Sequence, residues 1–233
     1  MKLCLFGVSG LATGNHNIKD PRLDQADKLV EAQKKVYAQM VLVDEKELAV
    51  CDAILTSGAA LSDLLMKDLD FVETRLQRGA GEAEKKVLEK MAEGLVSETP
   101  VCKLGLTAEE LAAISAHAFV TNRPVVVAGE ADLAAPDALL VRALAESGYI
   151  SFLTVGGKEN RAWPIRAGTT AWEAAGTIHT DLQKGFIRAE IIGFADFVGA
   201  GGETQAKRAG KVRLELKGYV MQDYDVVNFR FTK

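Results

Sequence analysis

Five residues near the start come closest to a chemical motif: Gly7, Ser9, Gly10, Gly14 and Asn15. They follow the short apolar run Lys2–Gly7, which reads as a buried strand entering a glycine-rich turn. A loop of this kind can cradle phosphates. In the full form, G-x-x-x-x-G-K-[ST], backbone N–H groups and a helix N-terminus hold the phosphates, a lysine neutralises their charge and a hydroxyl holds Mg²⁺. With Gly14 on the second glycine, Ser9 falls on the first, Asn15 on the lysine and His16 on the hydroxyl. Both side chains that handle triphosphate and metal are absent. Two readings stay open for these five candidate residues. One is a remodelled loop that binds an anion or a nucleotide, ATP or GTP with Mg²⁺. The other is a structural connection.

No other residue set supports catalysis. His16, His117 and His179 have no metal-ligand spacing, and no Ser/His/Asp or Cys/His arrangement is legible. Cys4, Cys51 and Cys102 are far apart, form no CxxC, and read as small buried hydrophobes of a reducing cytoplasm. No catalytic residue and no metal site is assigned, and the balance leans away from an enzyme.

Charge points elsewhere. The net charge is −4, but residues 1–149 carry −7 and residues 150–233 carry +3. In the basic part, Lys158, Arg161, Arg166, His179, Lys184 and Arg188 are candidates for contacting RNA or another partner, with Trp163, Trp172 and Phe186 interleaved. Basic groups neutralise phosphates, and flat rings stack on unpaired bases. The competing reading makes the rings core and the charges a solvated face. For His179 it is a helix C-terminal cap.

These residues need elements to position them. The 233 residues, 48% apolar and 26% charged, fit one or two globular domains and exclude a disordered or fibrous chain. No apolar run reaches the ~18 residues of a membrane span, and the start does not read as a signal peptide. Asp20-Pro21 opens a helix, with Asp20 as its N-cap. Val36–Val43 reads as one strand. Helical periodicity over 44–98 places Leu64, Leu65, Leu69 and Val72 on one stripe and Val87, Leu88, Met91 and Leu95 on another, with Gly79 between them. That predicts an antiparallel helical hairpin inserted in an α/β domain, with an acidic outer face open to a protein partner. Thr107 to Glu110 is a capping box, and Pro124–Gly129 is a third strand. Three strands alternating with helices imply a small parallel sheet, whose uncovered edges favour a homodimer. From Gly148 the pattern is strand, strand, helix, strand, strand, as in a ubiquitin-like β-grasp.

The segments 150–156, 161–166, 174–181, 184–190, 196–198, 220–223 and 229–231 together resemble the TGS domain that ends YchF proteins, Obg-related P-loop NTPases. Further upstream, 20–24, 67–76 and 123–127 match the same family more loosely. The expected fold is α/β plus α+β: a truncated P-loop-type parallel sheet with a helical hairpin insert, then a TGS β-grasp domain. The expected domains are 1–147, with the insert at 44–98, and 148–233.

The departures qualify the resemblance. Only Asn15–Lys19 separates Gly14 from Asp20, too few residues for the P-loop helix. Asp44 to Glu47 lacks the glycine of the metal loop, and Ala128 to Asp132 lacks the asparagine of a base-reading motif. Leu216 and Tyr224 stand where the family usually has glycine, and each is expected to alter its turn or loop. The resemblance implies a non-hydrolysing member that binds the ribosome or structured RNA through its TGS domain. The alternative is an ATP- or GTP-binding protein or weak NTPase with a remodelled loop.

Overall fold

A computed structural model describes residues 1–232. In chain order the strands and helices are β1 (Lys2–Phe6), β2 (Gly14–Ile18), α1 (Pro21–Leu29), β3 (Lys34–Val36), β4 (Ala38–Val43), β5 (Ala53–Ser57), α2 (Leu61–Gln77), α3 (Glu82–Val96), α4 (Ala108–Ala113), β6 (Val125–Ala128), α5 (Glu130–Leu133) and α6 (Pro136–Glu146). They continue with β7 (Tyr149–Thr154), β8 (Glu159–Arg166), α7 (Ala171–Ile178), α8 (Thr180–Lys184), β9 (Phe186–Ile192), α9 (Phe194–Ala200), α10 (Glu203–Arg208), β10 (Arg213–Glu215) and β11 (Val226–Phe231).

The chain forms two compact units. One holds residues 1–16 and 40–139; the other holds Asn17–Gln39 with the chain from Leu140 onward. A cut at 147/148 therefore separates α1 and β3 from the unit they pack in. Asp20 caps α1 by accepting from the Arg22 N–H at 2.9 Å, with Pro21 next, as the sequence predicts. Arg22 bonds Asp223 at 2.6 Å. Fully buried Asn160 donates to Asp27 and to the Val30 carbonyl, both at 2.8 Å, and accepts from Gly156 at 2.8 Å. Buried polar groups persist only when so satisfied, and these bonds fix α1 in its unit.

The first sheet has the order β2-β4-β1-β5-β6, with β4 parallel to β1, β1 to β5 and β5 to β6. Leu3, Cys4, Ile54, Leu55 and Val126 are almost completely buried, the near-continuous apolar reading of strands covered on both faces. Three points correct the sequence reading. Two further strands, β2 and β5, enlarge the expected three-stranded sheet. The run 36–43 is not one strand: β3 pairs with β8 in the other sheet and β4 with β1. Tyr37 sits at the break, its hydroxyl donating to Asp24, which Lys35 also bonds. The insert is shorter than 44–98, because β5 lies within that range and the hairpin is α2 and α3.

In the hairpin, the two predicted stripes close on each other. Arg75 grips Glu84 through two bonds of 2.7 and 2.9 Å, and Asp68 accepts from the Val120 N–H, the Thr121 N–H and the Thr121 hydroxyl, each at 2.7 Å. Thr107 and Glu110 form the predicted capping box.

The second sheet has the order β10-β9-β11-β7-β8-β3. β7 is parallel to β11 and antiparallel to β8, and β9 is antiparallel to both β11 and β10. Phe152, Ile165, Ala189, Ile191, Val227 and Phe229 face α7, which presents Ala171, Ala174 and Ala175. The glycine- and alanine-rich stretch 199–210 is largely helical, with α9 ending at left-handed Gly201.

Candidate functional site

The glycine loop leaves β1 at Gly7, whose φ is +58°. A Cβ there would lie 2.2 Å from the Ala60 Cβ, so glycine is required for packing as well as for backbone conformation. Gly10 and Gly14 also have positive φ, at +88° and +119°. Beyond Gly14 the chain enters β2, a strand. No helix begins at the loop's end, so the oriented N–H groups and dipole of a phosphate site are absent there.

Electrostatics oppose an anion further. Glu45, in a 3₁₀ turn after β4, accepts from the Gly7 N–H at 3.1 Å. One loop donor thus already holds a carboxylate, which the sequence reading did not anticipate. A cavity of about 410 Å³ beside the loop is lined by Leu5, Val8, Leu11, Thr13, Asp44, Glu45 and Lys46. Two carboxylates there face one ammonium. Ser9 and Asn15 are exposed, and His16 bonds the Ala12 carbonyl at 2.7 Å. The residues at the expected lysine and hydroxyl positions do not fit a magnesium–triphosphate group. Among the described residues, no three His, Cys, Asp or Glu side chains are grouped to hold a metal ion.

The basic candidates are dispersed. Arg161 stacks on the Trp163 ring at 3.9 Å and contacts Glu159 at 3.4 Å. Arg166, on the opposite face of β8 by strand alternation, lies over Tyr149 at 4.7 Å. Arg188 projects from β9 away from the α7 face, 3.8 Å from Glu190, which Arg230 grips through two bonds of 2.8 and 2.9 Å. His179 ends α7 and accepts from the Asp181 N–H at 3.1 Å, a cap at the start of α8. Lys158 and Lys184 are exposed. The fold does not gather these six into one patch. Phe186 is core and Trp163 half-buried, whereas Trp172 is 40% exposed.

The glycine departures resolve differently. Tyr224 has φ +62°, so the loop keeps a left-handed backbone although the residue is not glycine. Its buried ring packs edge-on against Phe194 at 5.4 Å and carries the Arg22 guanidinium at 3.7 Å. Burial, with Asp20 beside it, pushes the phenol pKa well up. Leu216 lies outside the left-handed region and is 73% exposed.

Comparison with known proteins matches this architecture. The family model YchF-GTPase_C, described as "Protein of unknown function (DUF933)", matches residues 149–232. A protein of Haemophilus influenzae described as a ribosome-binding ATPase YchF is 33% identical over 232 positions, covering 73% of this chain and 64% of that protein. Its counterpart in Escherichia coli O157:H7 is 34% identical with the same coverage. The chain thus spans 64% of the length of these curated relatives. The Schizosaccharomyces pombe YchF GTPase structure shares the fold, with a TM-score of 0.74 at 18% identity over 99% of this chain and 97% of that one. With the YchF C-terminal model matched over residues 149–232 and two YchF relatives aligned at 33% and 34% identity over 73% of this chain, the chain belongs to the YchF family.

Proposed function

We propose that this protein is a ribosome- or RNA-associated binding protein that acts through its C-terminal unit and does not hydrolyse nucleotide. The observation that carries the reading is the glycine loop, which runs into a strand and holds the Glu45 carboxylate on Gly7. Phosphoryl transfer depends almost wholly on positioned charge, so a loop without helix terminus, lysine or metal hydroxyl has little to work with. The C-terminal unit is read as a TGS β-grasp domain. Its support is the strand order, with first and last strands parallel at the centre and α7 packed across the sheet. Relatives named for ribosome binding and the basic excess of residues 150–233 support the partner class.

The cavity beside the loop, with Lys46 on its wall, favours a second reading in which ATP or GTP still binds weakly. Calorimetric titration with Mg·ATP and Mg·GTP, paired with ribosome co-sedimentation at low and high salt, separates the two. The expected result is no nucleotide heat up to millimolar ligand, with co-sedimentation lost at high salt as released counterions demand. Micromolar nucleotide binding would overturn the first reading in favour of the second.

A further inference from the structure

β10 is a terminal strand of its sheet, paired among the described residues with β9 alone. Arg213 and Glu215 lie opposite Ile191 and Ala189, while Leu214 lies opposite Glu190. Glu190 also lies opposite Asn228 of β11, on the other side of β9. Alternation then turns the Leu214 N–H and C=O outward to the free edge. Natural edge strands are usually blunted by charge or covered. β10 is short and carries Arg213 and Glu215 on one face, but on the other Leu214 is 61% exposed and Leu216, just past the strand, 73%.

The chain segment around β10 is cationic, and two of its cations are left uncompensated among the described residues. Residues 207–217 hold Lys207, Arg208, Lys211, Arg213 and Lys217 against the single acid Glu215. Lys207 and Lys211 are held by Glu203 and Asp196, and Arg213 by Glu215 and Asp225. Arg208 and Lys217 are exposed, and neither forms an ion pair among the described residues.

We infer that β10 is a docking edge for an extended acidic segment of a partner protein, which adds as a strand and seats alternate apolar side chains on Leu214 and Leu216. Strand addition takes its affinity from main-chain bonds and its specificity from side-chain pockets and charge. The competing occupant is a second copy of this chain, paired antiparallel about Leu214 with Arg213 against Glu215; a dimer that excludes the peptide would overturn the inference. RNA would use the cations but neither the strand-spaced backbone groups nor the two leucines.

The test uses full-length protein and a fluorescein-labelled hexapeptide alternating Glu and Val, read by anisotropy. A Lys/Val hexapeptide and a single-stranded uridine oligonucleotide are the comparison probes. The Glu/Val peptide is expected to bind and to slow hydrogen exchange at the Leu214 amide. Leu216→Gly and Leu214→Glu should each weaken it by about tenfold or more. Both positions are exposed, so thermal midpoints should stay unchanged. No binding, equal binding of the Lys/Val peptide, variants that bind like the parent, or capture of the oligonucleotide alone would each overturn the inference. The loop reading is judged separately, by nucleotide titration.

Discussion

Gly7 and Tyr224 both hold left-handed backbone, and they hold it for opposite reasons. At Gly7 any Cβ would collide with Ala60, so the site tolerates nothing larger. At Tyr224 a strain of about 1–2 kcal/mol is carried by a non-glycine residue because its ring is buried between Phe194 and the Arg22 guanidinium. Deleting a buried aromatic side chain costs about 3–5 kcal/mol, more than relief of that strain returns. Tyr224→Gly is therefore expected to destabilise the protein by about 2–3 kcal/mol, although glycine is the resembled family's usual residue there. Gly7→Ala should also cost more than ~1 kcal/mol, here through clash and strain together. Urea denaturation of both variants checks this; a stabilised Tyr224→Gly would mean the ring contributes less than the strain it causes.

At the scale of elements, the α2–α3 hairpin depends on an ionic clasp as well as its apolar seam. Glu84 accepts two bonds from Arg75 and faces His117 Nε2 at 2.8 Å. The Arg75 guanidinium first, then His117, holds the Glu84 carboxyl down at about 2. A depressed carboxylate stabilises the fold above its ordinary value of ~4.3, and that contribution is lost as pH falls through the folded-state value. The thermal midpoint of the parent should exceed that of Glu84→Gln at neutral pH, and the gap should close between about pH 4 and pH 2. A gap unchanged at pH 2 would show that packing, not charge, separates the two. The hairpin was legible because Leu64 to Val72 and Val87 to Leu95 repeat at helical spacing. Strand β2 was not, because Gly14–Ile18 is mostly polar and exposed, and edge pairing leaves little periodic signal. The break at Tyr37 was hidden for another reason. Residues 36–43 suit a strand throughout, and only the bonds to distant Asp24 reveal that two sheets share them. At the loop, the missing lysine and hydroxyl are visible in the sequence, but the Glu45 contact spans 38 positions and carries no local signature.

For the whole molecule, the consequence is that each compact unit is assembled from two separated stretches of chain, the second unit from residues 17–39 and the chain from Leu140 onward. The second unit's dependence on residues 17–39 concentrates at Asn160, whose three bonds satisfy Asp27, the Val30 carbonyl and the Gly156 N–H at once. Asn160→Leu keeps the branched skeleton of four heavy atoms and removes every group that makes those bonds. Asp27, Val30 and Gly156 are half-buried, so each loses its bond and regains only part of its hydration. The expected loss is about 3–4 kcal/mol. Both tryptophans, Trp163 and Trp172, lie in this unit, so their fluorescence reports its unfolding selectively. In urea, the fluorescence midpoint of Asn160→Leu should fall by that amount divided by the transition's slope. If the midpoint does not move, α1 and β3 are accessories that the unit can shed, and residues 148–233 hold the stability by themselves. If it falls as expected, the stretch between the glycine loop and β4 is structural material for the C-terminal unit, and the shortened loop region has kept it for that purpose.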